Sequence, residues 1–220
     1  MSTLSNSITL KKRSDLHLPR KLWHVFGGLS ILSCYWVFEL RPKEAALLLL
    51  TAAFVGFSTD YVRFRVNFFN KIVMLILSPV MRENEKNKWS GLPFYALGLG
   101  LNFLLFPEKI AILSCFFLIF SDPFSSLVGI KFGKTKISKN KSFEGCMAGL
   151  LISMVISITY LNILGVRDSK VWIFSLVAGV ISSFSELLSA LDIDDNLTIP
   201  VFSGLGLLVL NSYLKLLPMI

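Results

Sequence analysis

The sequence is poor in charge, in histidine and in cysteine. Of its 220 residues only 16% are Asp, Glu, Lys or Arg, against about a quarter in soluble domains. Hydrophobic residues make up 54%, and apolar runs of roughly 17–20 residues recur, the length that crosses a bilayer core as helix. Composition therefore excludes an ordinary soluble domain. Two histidines, His17 and His24, are too few for a histidine metal site. Cys34, Cys115 and Cys146 lie in or beside apolar runs and form no CxxC or Cys/His cluster, so they are expected to be small buried hydrophobes. No internal repeat, low-complexity segment or soluble linker divides the chain, so residues 1–220 are expected to form a single integral membrane domain. The leader before Trp23 is polar and basic and no A-x-A-like site follows it. Residues 1–22 are expected to remain as a basic cytoplasmic segment.

The fold expected is all-α: a polytopic membrane protein of about seven spans, near 23–39, 44–59, 90–106, 110–128, 143–163, 171–190 and 197–217. Residues 68–81 are apolar but short, with Pro79 near the end, which suits an interfacial or re-entrant helix. With that segment not crossing, 16 of the 22 Lys and Arg fall on the side of the N-terminus. The positive-inside rule puts that side in the cytoplasm and the C-terminus outside. The net charge of +8 thus reports topology rather than nucleic acid, which is not expected as a partner. The basic, Phe- and Asn-rich composition suits a bacterial inner membrane.

Charge is concentrated in a few places. Asp122 sits at the inner end of an apolar run, just before Pro123. An ionisable residue there is costly and is a functional candidate by default. Gly129 and Gly133 follow at +7 and +11, roughly on the same helix face, where a backbone or a ligand can come close. Lys131, Lys134, Lys136, Lys139 and Lys141 come next, then Glu144 and Gly145. A glycine-backed, lysine-rich turn suits a polyphosphate, and carboxylates beside it suit Mg²⁺. The plainer alternative is that the lysines only orient the chain. A second cluster, "SELLSALDIDDNLTIP", sets Glu186 inside the sixth span with Asp192, Asp194, Asp195 and Asn196 beyond it. In "RKLWHVFGG", Lys21 and His24 share a helix face at i and i+3. In "VMRENEKNK", Arg82, Glu83 and Glu85 precede the third span.

Together these motifs resemble the polyprenol kinase group: dolichol kinases, phytol kinases and the CTP-dependent diacylglycerol kinases of fungi. The likeness lies in Arg20 or Lys21 with His24; in Asp122, Gly129, Gly133 and Lys134; in Lys141-Ser142-Phe143-Glu144-Gly145; and in Glu186 before Asp195, Asn196 and Pro200. It runs from about 20 to 204. Pro123 departs from the group, which commonly has a small residue there. The central motif is also similar to that of phosphatidate cytidylyltransferases, but their C-terminal Asp-Arg does not occur here.

The resemblance implies a membrane-embedded kinase that transfers the γ-phosphoryl of CTP to a lipid alcohol, with Mg²⁺ as cofactor. Asp122 and Asp195, with Asp194 beside it, are the expected metal ligands, and Glu186 is a further ligand or base. Gly129, Gly133, Lys134, Lys141, Glu144, Gly145 and Lys21 are expected at the nucleotide, with Glu144 orienting Lys141. His24 or Glu186 would assist the lipid hydroxyl. The alternative is cytidylyl transfer to phosphatidate. A small-solute transporter would need polar groups through the depth of several spans, whereas here they gather at one face. The lipid, the oligomeric state and the choice between CTP and another NTP such as ATP are left open by the residues themselves.

Overall fold

The computed structural model describes residues 15–86, 88–138, 141–191 and 193–218, so Lys139 and Asp192 lie outside the described residues, as does most of the 1–22 segment. Nine α-helices cover most of them: α1 Leu18–Val37, α2 Pro42–Arg65, α3 Asn67–Leu77, α4 Gly91–Leu105, α5 Glu108–Phe116, α6 Asp122–Phe132, α7 Phe143–Ile163, α8 Val171–Leu187 and α9 Asp195–Leu214. Apart from one isolated bridge, Lys136 with Ser142, the described residues form no β-structure.

By length and composition four helices can cross a membrane: Pro42–Arg65, the continuous Glu108–Phe132 rod, Phe143–Ile163 and Asp195–Leu214. Helices α3, α4 and α8 are apolar but shorter. At 11 residues, α3 is only about 16 Å long, half a hydrocarbon core.

The Glu108–Phe132 rod is the axis of the fold. Ile110, Leu113, Cys115, Phe117, Leu118 and Ile119 on it are fully buried. Hydrophobic association between helices is weak in lipid, so small residues and hydrogen bonds hold the neighbours. Ser121 donates to the Gly149 carbonyl at 2.8 Å, Ser153 to Ser182 at 2.7 Å, and Ser183 to the Cys146 carbonyl at 3.0 Å. Asn102 donates to the Ala111 carbonyl at 2.7 Å and accepts from Ser114 at 2.9 Å. Cys115 and Cys146 are buried as expected; Cys34 is exposed, on a face of α1 not covered by protein.

The rod is not a regular helix. Between α5 and α6 lies a π-turn, Phe117–Ser121, in which the Asp122 N–H bonds back to the Phe117 carbonyl. Pro123 follows and has no N–H to give. The π-turn takes the Asp122 N–H from the Leu118 carbonyl and Pro123 offers no i+5 donor in its place, so His24 Nε2 donates to that carbonyl at 2.9 Å. A carbonyl only accepts, so Nε2 carries a proton, and in the neutral ring Nδ1 is then the acceptor end.

Candidate functional site

The chain between α6 and α7 reverses tightly. Phe143 N–H donates to the Thr135 carbonyl at 2.8 Å, and Ile137 N–H to the Lys141 carbonyl at 3.0 Å. Ser142 caps α7 by accepting from the Gly145 N–H at 3.2 Å. The glycines make room for this. A Cβ on Gly133 would collide with Ser142 Oγ and the Gly129 carbonyl, and a Cβ on Gly145 would stand 2.9 Å from the Ser125 carbonyl and 3.1 Å from Gly129 Cα. The face bearing Gly129 and Gly133 thus admits Ser142 and the backbone of α7. Glu144 accepts from the Thr135 N–H at 3.1 Å, which pins the turn that carries Lys141. Lys134 is exposed beside it.

The reversal delivers Lys141 into the protein. Its ammonium donates to Glu186 Oε1 at 2.7 Å and lies 3.6 Å from Asp195 Oδ2. Glu186 also accepts from Ser125 Oγ at 2.7 Å. Three segments remote in sequence therefore meet: the start of α6, the end of α8 and the start of α9. Burial opposes charge on Lys141, yet Glu186, Asp195 and Asp122 outweigh it and hold the ammonium above its ordinary range. Asp194 accepts from the Asn196 backbone N–H at 3.0 Å and from its side-chain amide at 2.7 Å. Burial, then the adjacent Asp195, push the Asp194 carboxyl up to about 7.

Helix α1 closes one side. His24 Nε2 stands 4.0 Å from Asp122 Oδ2. Lys21 donates to Ser126 Oγ at 2.6 Å and approaches the Pro123 carbonyl at 3.5 Å. Burial depresses the Lys21 ammonium, with Asp122 offsetting part of the loss. Arg20 donates to Glu85 Oε2 at 2.8 Å and to the Val80 carbonyl at 3.0 Å, so the α1 element and the "VMRENEKNK" element form one structure. Asn196 reaches the Gly91 carbonyl at 3.3 Å.

Asp122, Lys141, Glu186 and Asp195 thus share one neighbourhood, with His24 and Lys21 at its edge. Among the described residues no three His, Cys, Asp or Glu side chains converge as a ready-made metal centre. Ser125 and Ser126 are not among the residues expected at the site from the sequence. Their signal is visible in retrospect: Ser121, Ser125, Gly129 and Gly133 repeat every fourth residue as a stripe of small side chains. The sequence likewise leaves Asp60 and Arg63 among the loop charges. They are fully buried, with Arg63 Nε donating to Asp60 Oδ1 at 2.6 Å and Ser90 Oγ to Asp60 Oδ2 at 2.9 Å.

Fold and cluster together define a helical protein with several membrane-length apolar segments and a lysine–carboxylate centre buried between four of its helices. The chain belongs to the cytidylyltransferase family, whose profile matches residues 31–189. It is similar to CTP-dependent diacylglycerol kinase 1 of Schizosaccharomyces pombe, 31% identical over 218 residues that cover 91% of this chain and 97% of that one. The diacylglycerol kinase of the same name from Saccharomyces cerevisiae is 28% identical over 207 residues, 86% of this chain and 71% of that one. A probable phytol kinase 1 of Glycine max is 29% identical over 198 residues, 84% of this chain and 64% of that one. No solved structure matches.

Proposed function

We propose that the protein is a membrane-embedded lipid kinase that moves the γ-phosphoryl group of CTP to the hydroxyl of a lipid alcohol. The observation that carries this reading is the match to a CTP-dependent diacylglycerol kinase over nearly the full length of both chains. Phosphoryl transfer asks a protein for positioning and charge neutralisation more than for covalent chemistry. The lipid oxygen attacks the γ-phosphorus, the bond from that phosphorus to the β–γ bridging oxygen breaks, and CDP leaves. The hydroxyl proton needs an acceptor. His24 suits the task, because its Nε2–H is tied to the Leu118 carbonyl and Nδ1 keeps its lone pair. Glu186 suits it less, since it already holds Lys141 and Ser125.

Lys141, Lys134 and Lys21 would bind and orient the triphosphate. Glu186 and Asp195 hold the Lys141 ammonium in place. Mg²⁺ bound with nucleotide usually needs one or two carboxylates, the phosphates supplying the rest. Asp122 and Asp195, from different helices, provide that number, with Asp194 adjacent; the ion would neutralise charge on the phosphates. Seven crossings with the basic loops inside would place this centre at the cytoplasmic face, of the inner membrane in a bacterial cell.

The family's description favours one second reading, cytidylyl transfer to phosphatidate. Purified protein, CTP labelled at the γ or the α phosphorus, and diacylglycerol or phosphatidate as acceptor separate the two. Label from the γ position in the lipid is expected. Lipid labelled from the α position would establish cytidylyl transfer instead.

A further inference from the structure

We infer that the cavity between α1, the 80–91 segment and α4 seats the apolar body of the lipid acceptor, an inference that rests on the kinase reading above. The cavity has a volume of about 330 Å³. Its contribution from α1 is Arg20, Trp23, His24, Gly27 and Ile31, positions at helical spacing along one face. Polarity is graded along that face. Arg20, with Glu85 opposite, and His24 stand toward one end of the α1 face, and Gly27 and Ile31 toward the other; Leu92 and Ala96 of α4 add to the apolar lining. Eleven residues of helix span about 16 Å, which suits an amphiphile with one polar end.

The polar end abuts the charged centre. His24 lines the cavity and stands 4.0 Å from Asp122 Oδ2, while Asn196 lines it from the residue next to Asp195. A hydroxyl at the His24 end would therefore lie beside Asp122. Access from the bilayer is provided for: Trp23 at this wall is 55% exposed, and a Cβ on Gly27 would meet no atom within 4 Å. A nucleotide fits poorly, because the lining is mainly apolar and Arg20 is committed to Glu85 and the Val80 carbonyl.

Gly27→Leu starts from a Cβ in open space and extends a branched side chain into the cavity. It should raise the KM for a diacylglycerol roughly tenfold or more, the cost of excluding about two methylenes. The KM for CTP and the melting temperature should stay at wild-type values. A second readout does not depend on turnover. Full-length protein is irradiated with a diacylglycerol carrying a diazirine in one acyl chain. Adducts are expected on α1 and α4 peptides and should be lost in Gly27→Leu. An unchanged lipid KM with unchanged adducts overturns the inference and leaves the kinase reading standing. A rise in the CTP KM alone would make the cavity a nucleotide site and also overturn it. If wild-type protein transfers no γ-phosphoryl, the kinase reading fails, and the adduct pattern still decides whether the cavity takes lipid.

Discussion

Two buried acid–base groups differ in how completely their charges are answered. In the first, Arg63 donates to Asp60 and to the carbonyls of Glu85, Lys86 and Lys88, while Asp60 Oδ2 also receives the Ser90 N–H and hydroxyl. One cation meets one anion, and the remaining hydrogen-bonding capacity goes to the backbone of the 85–90 turn. In the second, a single ammonium, Lys141, faces Glu186 and Asp195, with Asp122 near enough to stabilise its charge. Three acids share this one ammonium, with Lys21 at the edge of the group beside Asp122. A saturated pair is scaffold, since it presents nothing to a ligand. A group with several acids drawn from different helices around a buried ammonium suits a place where a cation arrives with its substrate.

Breaking the saturated pair should cost stability and little else. Arg63→Met leaves Asp60 buried without its cation, a change worth ~3–5 kcal/mol. A large fall in the melting temperature of detergent-purified protein is expected, with turnover per folded molecule close to wild type. Loss of turnover in protein that melts normally would place Arg63 in the chemistry and erase the distinction.

A smaller effect sharpens the comparison at Arg20–Glu85, which belongs to both regions. Burial alone would raise the Glu85 carboxyl, but Arg20 outweighs it and holds it below its ordinary range. A depressed carboxyl adds stability above its unfolded value, near 4.5, and that stability is lost as pH falls through the folded value. Glu85→Gln should therefore destabilise by ~1.5–3 kcal/mol at neutral pH. The gap to wild type should close on acidification below about 4.5. Melting curves at pH 7 and pH 4 check both the size and the sign.

The sequence made much of the architecture legible. Long apolar runs announced the helices, and the shortness of 68–81 announced α3. It did not fix how many helices span. Helices α4 and α8 end at Leu105 and Leu187, where Pro107 and a 3₁₀ turn stop them short. At the site, residue types were legible but partners were not. Lys141 and Glu186 are 45 residues apart, and only packing of α6, α7 and α8 brings them together. The glycines carried two readings, ligand or backbone, because a missing Cβ serves either; here Ser142 fills the space. The role of Pro123 was hidden for the same reason. Its missing N–H leaves the Leu118 carbonyl open to His24, 94 residues from Leu118 in the chain.

The most direct test of the account is the turnover of Asp122→Asn, measured as γ-label from CTP reaching a lipid alcohol per folded molecule. Asn keeps the shape of the side chain and removes the charge. Relieving a carboxylate at the membrane edge should leave yield and melting temperature intact. The account predicts a loss of ~10²-fold or more, the worth of one well-placed electrostatic group. Near-full turnover in a well-folded Asp122→Asn protein would contradict it, and the phosphoryl-transfer centre would then lie away from the Lys141 cluster.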